Sequence, residues 1–375
     1  MCARPPSASS AGPSAAERAV EDGLRAAPAF RVTRSSAPID PASAEWLEAL
    51  FFSLSSARGI VAAVSGGPDS MALMHLLALW RGSAARPPVI VATVDHGLRP
   101  EAAREAAFVA AEASRLGFPH RTLVWTGPKP GTGLQEAARE ARYRLLIGCA
   151  REEGATHLVT AHTLDDQAET LLMRLSRGSG LAGLGGMRPE RDRDGLRHVR
   201  PLLDCPKSML LALCGRERWP FVEDPSNLDE RFARVRWRRL MPALAAEGLT
   251  AERLAGLARR ARQAEEALDA KAAEALGRAR PVAGEGGLRL DAAPLAEEPF
   301  EIALRAFVQA LDRAGIRPET GRLQRIEACV GRLRDALAKG EAFRATVSGA
   351  LVRLDARGGL TLAPEPPRRR GRAPV

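Results

Sequence analysis

The stretch G-I-V-A-A-V-S-G-G-P-D-S-M, Gly59 to Met71, decides the reading of this chain. Ile60 to Val64 is a short apolar, β-branched run of the kind that forms a buried strand. It breaks at Ser65-Gly66-Gly67-Pro68-Asp69-Ser70, and an apolar helical pattern follows through Trp80. A strand, a glycine-rich turn and a helix N-terminus together make an anion site. The glycines let the backbone approach, free N–H groups point outward, and the helix dipole favours negative charge. The natural ligand is a nucleotide phosphate. The turn is not a Walker A loop, which needs G-x-x-x-x-G-K-[ST], because no lysine lies nearby.

The chain has 375 residues, enough for two or three domains with real cores. No apolar run approaches the roughly 20 residues of a membrane span, so no membrane association is expected. Five scattered cysteines without a C-x-x-C pair argue against a zinc ribbon, an iron–sulfur site or a disulfide framework, and for a reducing cytoplasm. The net charge of +10 suits a nucleic-acid partner, but only four of the 55 basic residues are lysines. Such an arginine bias also follows from a GC-rich genome, so placement has to decide.

Residues 1–44 are rich in Ala, Ser, Pro and Arg without a period and read as a disordered leader. Strands at 59–64, 88–94, 121–126 and 157–160 alternate with helices at 70–80, 101–116, 134–153 and 165–175. That rhythm predicts an α/β fold, a parallel twisted sheet with helices on both faces. Ligands bind such sheets at the carboxyl ends of the strands. There lie Ser65 to Ser70, Asp95-His96-Gly97-Leu98-Arg99 and Ala161-His162-Thr163. Residues 186–245 read as irregular, and 251–278 as a long connecting helix. Short strands at 287–290, 343–347, 350–354 and 360–362 with a helix at 300–314 read as a small α+β domain. A basic tail closes the chain at 366–375. The boundaries are a leader at 1–44, an ATP-binding catalytic domain at 45–248, a helical linker with a small domain at 249–365, and the tail.

Three carboxylates, Asp165, Asp166 and Glu169, follow His162 at helical spacings that bring them near one edge. Acids in a first helical turn are often only a solvated cap. Beside a phosphate loop they can hold Mg2+ or steer an amine. Arg139 and Arg142 share a predicted helix, as an exposed basic face or as contacts to phosphates. Arg234, Arg236 and Arg238 would share one side of a strand but not of a helix.

Ser-Gly-Gly-x-Asp-Ser after a strand resembles the PP-loop of ATP pyrophosphatases. The block A-H-T-L-D-D-Q-A-E-T, with Arg177-Gly178-Ser179-Gly180 and Leu184-Gly185-Gly186-Met187, resembles the tRNA(Ile)-lysidine synthetase family. Further similar blocks run in the same order: Asp95 to Arg99, Gln135 to Tyr143, Arg200-Pro201-Leu202-Leu203, Glu223-Asp224-Pro225-Ser226-Asn227 and Arg234 to Arg238. The resemblance covers about 50–245. Two positions depart from the family pattern: Thr163 stands where it has a second histidine, and Val235 where it has asparagine.

The resemblance implies adenylation, by ATP, of C2 of the wobble cytidine in the isoleucine tRNA with a CAU anticodon. Free L-lysine then attacks C2. It implies that Ser65, Gly66, Gly67, Pro68, Asp69, Ser70, Asp95 and His96 meet the nucleotide, and that Asp69 and Asp166 hold Mg2+. His162, Glu169, Arg139 and Arg142 complete the catalytic set with those two. Asp165, Arg234 and Arg236 would meet substrate. The C-terminal domain and tail, which lack catalytic groups, would grip tRNA. Another PP-loop tRNA enzyme, such as a 2-thiolation protein, and a non-catalytic tRNA-binding protein stay as alternatives.

Overall fold

The computed structural model describes residues 43–82, 86–98, 101–223, 231, 233–284, 287–317 and 323–365. Most of the expected leader, Arg99, Asp224 to Asn227 and the basic tail lie outside the described residues.

β1 (Ile60–Ala63) is fully buried and central. Ile60, Ala62 and Val64 face one hydrophobic core, with Phe51, Leu73 and Trp80. Val61 and Ala63 face another, with Leu146 and Leu158. This alternation is that of a strand covered on both sides. β2 (Val89–Asp95), β3 (His120–Val124), β4 (His157–Thr160), β5 (Glu190–Arg193) and β6 (Leu196–Val199) complete a sheet ordered β3-β2-β1-β4-β6-β5. β1 pairs in parallel with both β2 and β4. The chain runs outward from β1 to β3, then returns to lay β4 on the other side. The resulting crevice at the carboxyl ends of β1 and β4 is where such sheets bind ligands.

Two features of this part of the fold differ from expectation. The sheet is not wholly parallel: β5 pairs antiparallel with β6 at one edge. The stretch 186–245 is not irregular, since it holds this hairpin and the helices Lys207–Glu217 and Ala233–Ala246. The hairpin turns at Asp194-Gly195, both at positive φ, which right-twisted strands favour. Its outer strand reads Glu-Arg-Asp-Arg and has no buried residue, so hydrophobic pattern could not reveal it.

The helix Ala251–Arg278 belongs to two cores. Leu254 and Ala258 pack with Ala168, Leu171 and Leu172. Ala272, Ala275 and Leu276 enter the C-terminal core. There, β7 (Val282–Gly284), β8 (Gly287–Asp291), β9 (Phe343–Val347), β10 (Ala350–Leu354) and β11 (Gly359–Pro364) form an antiparallel sheet ordered β7-β8-β11-β10-β9. Helices Phe300–Arg313 and Leu323–Lys339 complete this α+β unit; the second was not expected. Arg305 ties the unit to the long helix through Glu265 at 2.9 Å and Asp269 at 2.7 Å. Among the described residues, no helix is long and apolar enough to cross a membrane.

On the helix Pro68–Arg81, which follows the loop, His75 is buried, stacked on Trp219 at 4.6 Å and 3.0 Å from Glu112. Burial pushes its pKa down to about 4 despite Glu112. The unfolded chain therefore binds a proton here before the folded one does. This contribution to stability is whole above the ordinary value of 6.5 and is lost as pH falls towards about 4. It amounts to roughly 3 kcal/mol. Melting curves across that window should show Tm falling with pH, and His75→Gln should flatten the slope.

Candidate active site

The loop after β1 is held by its own last residue. Ser70 Oγ donates to the Gly67 carbonyl at 2.9 Å and accepts from the Ser65 N–H at 3.1 Å. Gly66 has φ +90°, which a β-carbon would strain. Gly67 is different. Its φ of −70° suits any residue, and among the described residues, its chain neighbours aside, nothing lies within 4 Å of where its β-carbon would be. Neither backbone nor packing among the described residues requires glycine there. Pro68 takes the first helical position, where its missing N–H is harmless, and Asp69 follows.

Two cavities meet at this loop. One, about 360 Å³, is bordered by Ser65, Gly67, His96, Leu98, Arg142 and Val222. The other, about 280 Å³, is bordered by Asp69, His162, Asp166, Lys207, Arg234 and Arg238, and again by Ser65, Gly67 and Arg142. In the first, His96 Nδ1 is buried without a partner among the described residues, and burial lowers that ring's pKa. Asp95 turns its Oδ1 back to the Gly97 N–H at 2.8 Å and closes a tight turn.

In the second cavity, Asp69 Oδ2 accepts from Lys207 Nζ at 2.9 Å, while its Oδ1 is buried and has no partner among the described residues. Burial raises the Asp69 pKa; Lys207 opposes this and the neighbouring Asp166 adds to it. Asp166 and Thr163 form a capping box on the helix Leu164–Leu175, with the Thr163 N–H on Asp166 Oδ2 at 2.9 Å. Thr163, in place of histidine, thus serves as the helix cap.

The carboxylates do not converge as expected. Asp165 turns away and accepts the Lys207 backbone N–H at 2.7 Å, which fixes the start of the helix carrying Lys207. Glu169 is 1% exposed and lies behind the cavity wall, where Arg238 Nε donates to it at 2.8 Å and Arg234 Nε stands 3.4 Å away. Burial raises its pKa, and the two arginines hold it back.

The basic residues also divide. Arg234 and Arg238 are four apart on the helix Ala233–Ala246 and share a face. Arg236 points elsewhere and donates to the Arg231 carbonyl at 3.0 Å, so it does not join them at the cavity. Val235 is buried against the helix's inner side. Arg142 borders both cavities, whereas Arg139 is exposed, its guanidinium 5.3 Å from the Tyr143 ring.

Lys207 and Arg238 were missed as site residues. Lys207 carried a signal, being one of four lysines in a chain whose cations are otherwise arginine. Arg238 could be placed only once its segment was known to be helical.

A glycine-rich loop that opens on two cavities beside a helix N-terminus, flanked by carboxylates and guanidinium groups, defines a nucleotide-dependent enzyme of the PP-loop class. Residues 40–244 match the PP-loop domain family. A tRNA(Ile)-lysidine synthase of Methylobacterium nodulans is 59% identical over 323 residues, 84% of this chain and 93% of its own. One from Methylobacterium sp. is 56% identical over 89% of this chain and 97% of its own, and one from Bradyrhizobium sp. 47% over 88% and 96%. The U34-tRNA thiolase NcsA of Methanococcus maripaludis, with its [4Fe-4S] cluster, shares the fold at a TM-score of 0.50 and 16% identity. That match covers 58% of this chain and 77% of the thiolase. The chain belongs to the tRNA(Ile)-lysidine synthase family.

Arg238→Met should leave Glu169 buried with only the more distant Arg234. A carboxylate stranded in this way costs about 3 kcal/mol while it is charged. Because its folded pKa is raised, protonation relieves that cost as pH falls. The loss of Tm on mutation should therefore be larger near pH 8 than near pH 5, by scanning calorimetry.

Proposed function

We propose that the protein joins the ε-amine of lysine to C2 of the wobble cytidine in tRNA(Ile) with a CAU anticodon, through an adenylated base. ATP use follows from the PP-loop domain, and carbon–nitrogen ligation on tRNA(Ile) from the family. The observation that carries the detail is the open side of the loop: Gly67 borders both cavities, and Asp69 presents there a buried oxygen with no partner among the described residues. The larger cavity takes the nucleoside of ATP, with Asp95 and His96 near it. The loop from Ser65 to Ser70 cradles the phosphates through its N–H groups. The second cavity takes the cytosine and the lysine.

The donors fit Mg2+, a hard cation satisfied by one or two carboxylates together with phosphate oxygens. Asp69 would hold it through Oδ1 and Asp166 through its second oxygen. The ion supplies charge neutralisation at the departing pyrophosphate. Arg142, Arg234 and Arg238 offset the charge that develops on phosphate. Asp166 also offers an anionic partner for cationic lysine. Asp165 and Glu169 act at one remove, by fixing Lys207 and the two arginines. The cytosine must leave its stack to reach the cavity, as single-stranded loop bases do.

The excess of arginine suits the tRNA backbone, and the C-terminal α+β unit is the part proposed to grip it. Cluster-dependent thiolation finds no support in the described cysteines: all four are buried, Cys205 and Cys214 in one core and Cys149 and Cys329 each in another.

The direct test is incubation with CAU tRNA(Ile), ATP and labelled lysine, followed by nucleoside analysis and measurement of AMP and pyrophosphate. Lysidine should form, and Asp69→Asn should lower kcat about 10²-fold or more. Gly67→Ala should fold normally, because its φ is compatible and nothing blocks the methyl group, yet should raise KM for ATP. Normal turnover with normal ATP affinity in both variants would remove the loop from the mechanism. Affinity for tRNA should fall steeply with salt.

A further inference from the structure

Behind the second cavity lies a chain of buried polar groups that the reaction scheme leaves unexplained. Arg200 is 4% exposed and is fixed by donation from Nη1 to the Arg188 carbonyl at 2.7 Å. Its Nη2 lies 3.2 Å from His198 Nδ1. His198 Nε2 is 2.9 Å from Thr160 Oγ1, and the same hydroxyl is 2.8 Å from His162 Nδ1. His198 and Thr160 are almost wholly inaccessible to water. The chain ends at His162, which borders the cavity beside Asp166, Arg142 and Arg234.

The direction of every bond follows from its first member. Guanidinium can only donate, so His198 Nδ1 accepts. A neutral ring carries its proton on the other nitrogen, so His198 Nε2–H donates to Thr160 Oγ1. The threonine hydroxyl has one proton and one partner left, and that proton goes to His162 Nδ1. A buried hydroxyl that failed to donate would be left unsatisfied in the core. His162 Nδ1 is therefore an acceptor, and its proton sits on Nε2, the nitrogen with no protein partner among the described residues.

We infer that Arg200, His198 and Thr160 form a tautomer-setting relay that makes His162 a fixed Nε2–H hydrogen-bond donor to an oxygen of the adenylyl group. This deepens the proposed function and rests on it for the identity of the acceptor. Both rings stay neutral: burial and neighbouring arginines push His198 down to about 2 and His162 well below its ordinary value. A ring that already carries its proton on the nitrogen facing the cavity cannot accept the proton of the lysine amine there. His162 thus stabilises negative charge and is not the general base. Thr160, His198 and Arg200 are positioning residues that act through it.

The test is long-range proton–nitrogen NMR of the full chain labelled with 15N-histidine near neutral pH, with His162→Gln used for assignment. Wild type should show His162 protonated at Nε2 and bare at Nδ1. Thr160→Val removes the hydroxyl at nearly constant volume and should give mixed tautomers at His162. It should lower kcat about tenfold or more, a wrong tautomer being costly, with KM for ATP within about twofold. Thr160→Ser restores the hydroxyl and should recover both the tautomer and kcat. Protonation of His162 at Nδ1 in wild type would overturn the relay, and Thr160→Ser gives an active reference should Thr160→Val not fold. A folded Thr160→Val with normal kcat would also overturn it. If wild type shows the Nε2–H tautomer but forms no lysidine, the relay stands and the assigned reaction falls.

Discussion

The parallel pairing of Ala63 with Thr160 sets the spacing on which the site depends. Past Ala63 the chain becomes the phosphate loop. Past Thr160 it becomes His162 and the Thr163 cap. Because the strands run in the same direction and end together, two helix N-termini open side by side, at Pro68 and Leu164. Asp165 fastens a third, at Lys207, against them. Each terminus contributes partial positive charge, and each adds to a field that favours anions. Asp69 and Asp166 stand in the first turns of two of these helices, so the same field that attracts phosphate also tolerates carboxylates beside it.

The charges around the cavity are balanced in layers. Glu169 is withdrawn from water and held by Arg238 and Arg234, which still border the cavity. Asp69 is held on one oxygen by Lys207, and its other oxygen has no partner among the described residues. A buried charge that loses its partner is expensive, so these pairs restrict how the arginine-bearing helix can shift without restricting the open face of the loop. That arrangement lets a charged site stay fixed while one side remains available to ligand.

Much of this was legible because the central strands announce themselves. β4 at His157–Thr160 and the helix Ala251–Arg278 fall where sequence places them, and the loop from Ser65 to Ser70 stands out against an apolar strand. What sequence did not reveal depended on tertiary contacts. β5 has no apolar pattern, although the Asp194-Gly195 pair is a hairpin signal that could have been read. The Arg234 to Arg238 block resolves only once it is helical, which pairs Arg234 with Arg238 and sends Arg236 away. The acidic trio looked like one cluster because helical spacing brings side chains near one another, yet spacing says nothing about which partner each finds. Asp165 found a backbone N–H, Asp166 a cap and Glu169 two guanidinium groups.

The helix Ala251–Arg278 is a strut. Its 28 residues span about 42 Å at the usual rise. One end is built into the core under the acidic helix, the other enters the C-terminal core through Ala272, Ala275 and Leu276, and Arg305 holds the middle through Glu265 and Asp269. Cutting the chain near Gly248 would therefore open the first core as well as remove the second. A rigid bar joined at both ends behaves as a gauge. The C-terminal unit is thereby kept at one distance from the crevice, so a tRNA gripped there, as proposed above, would have to match that length to reach the loop.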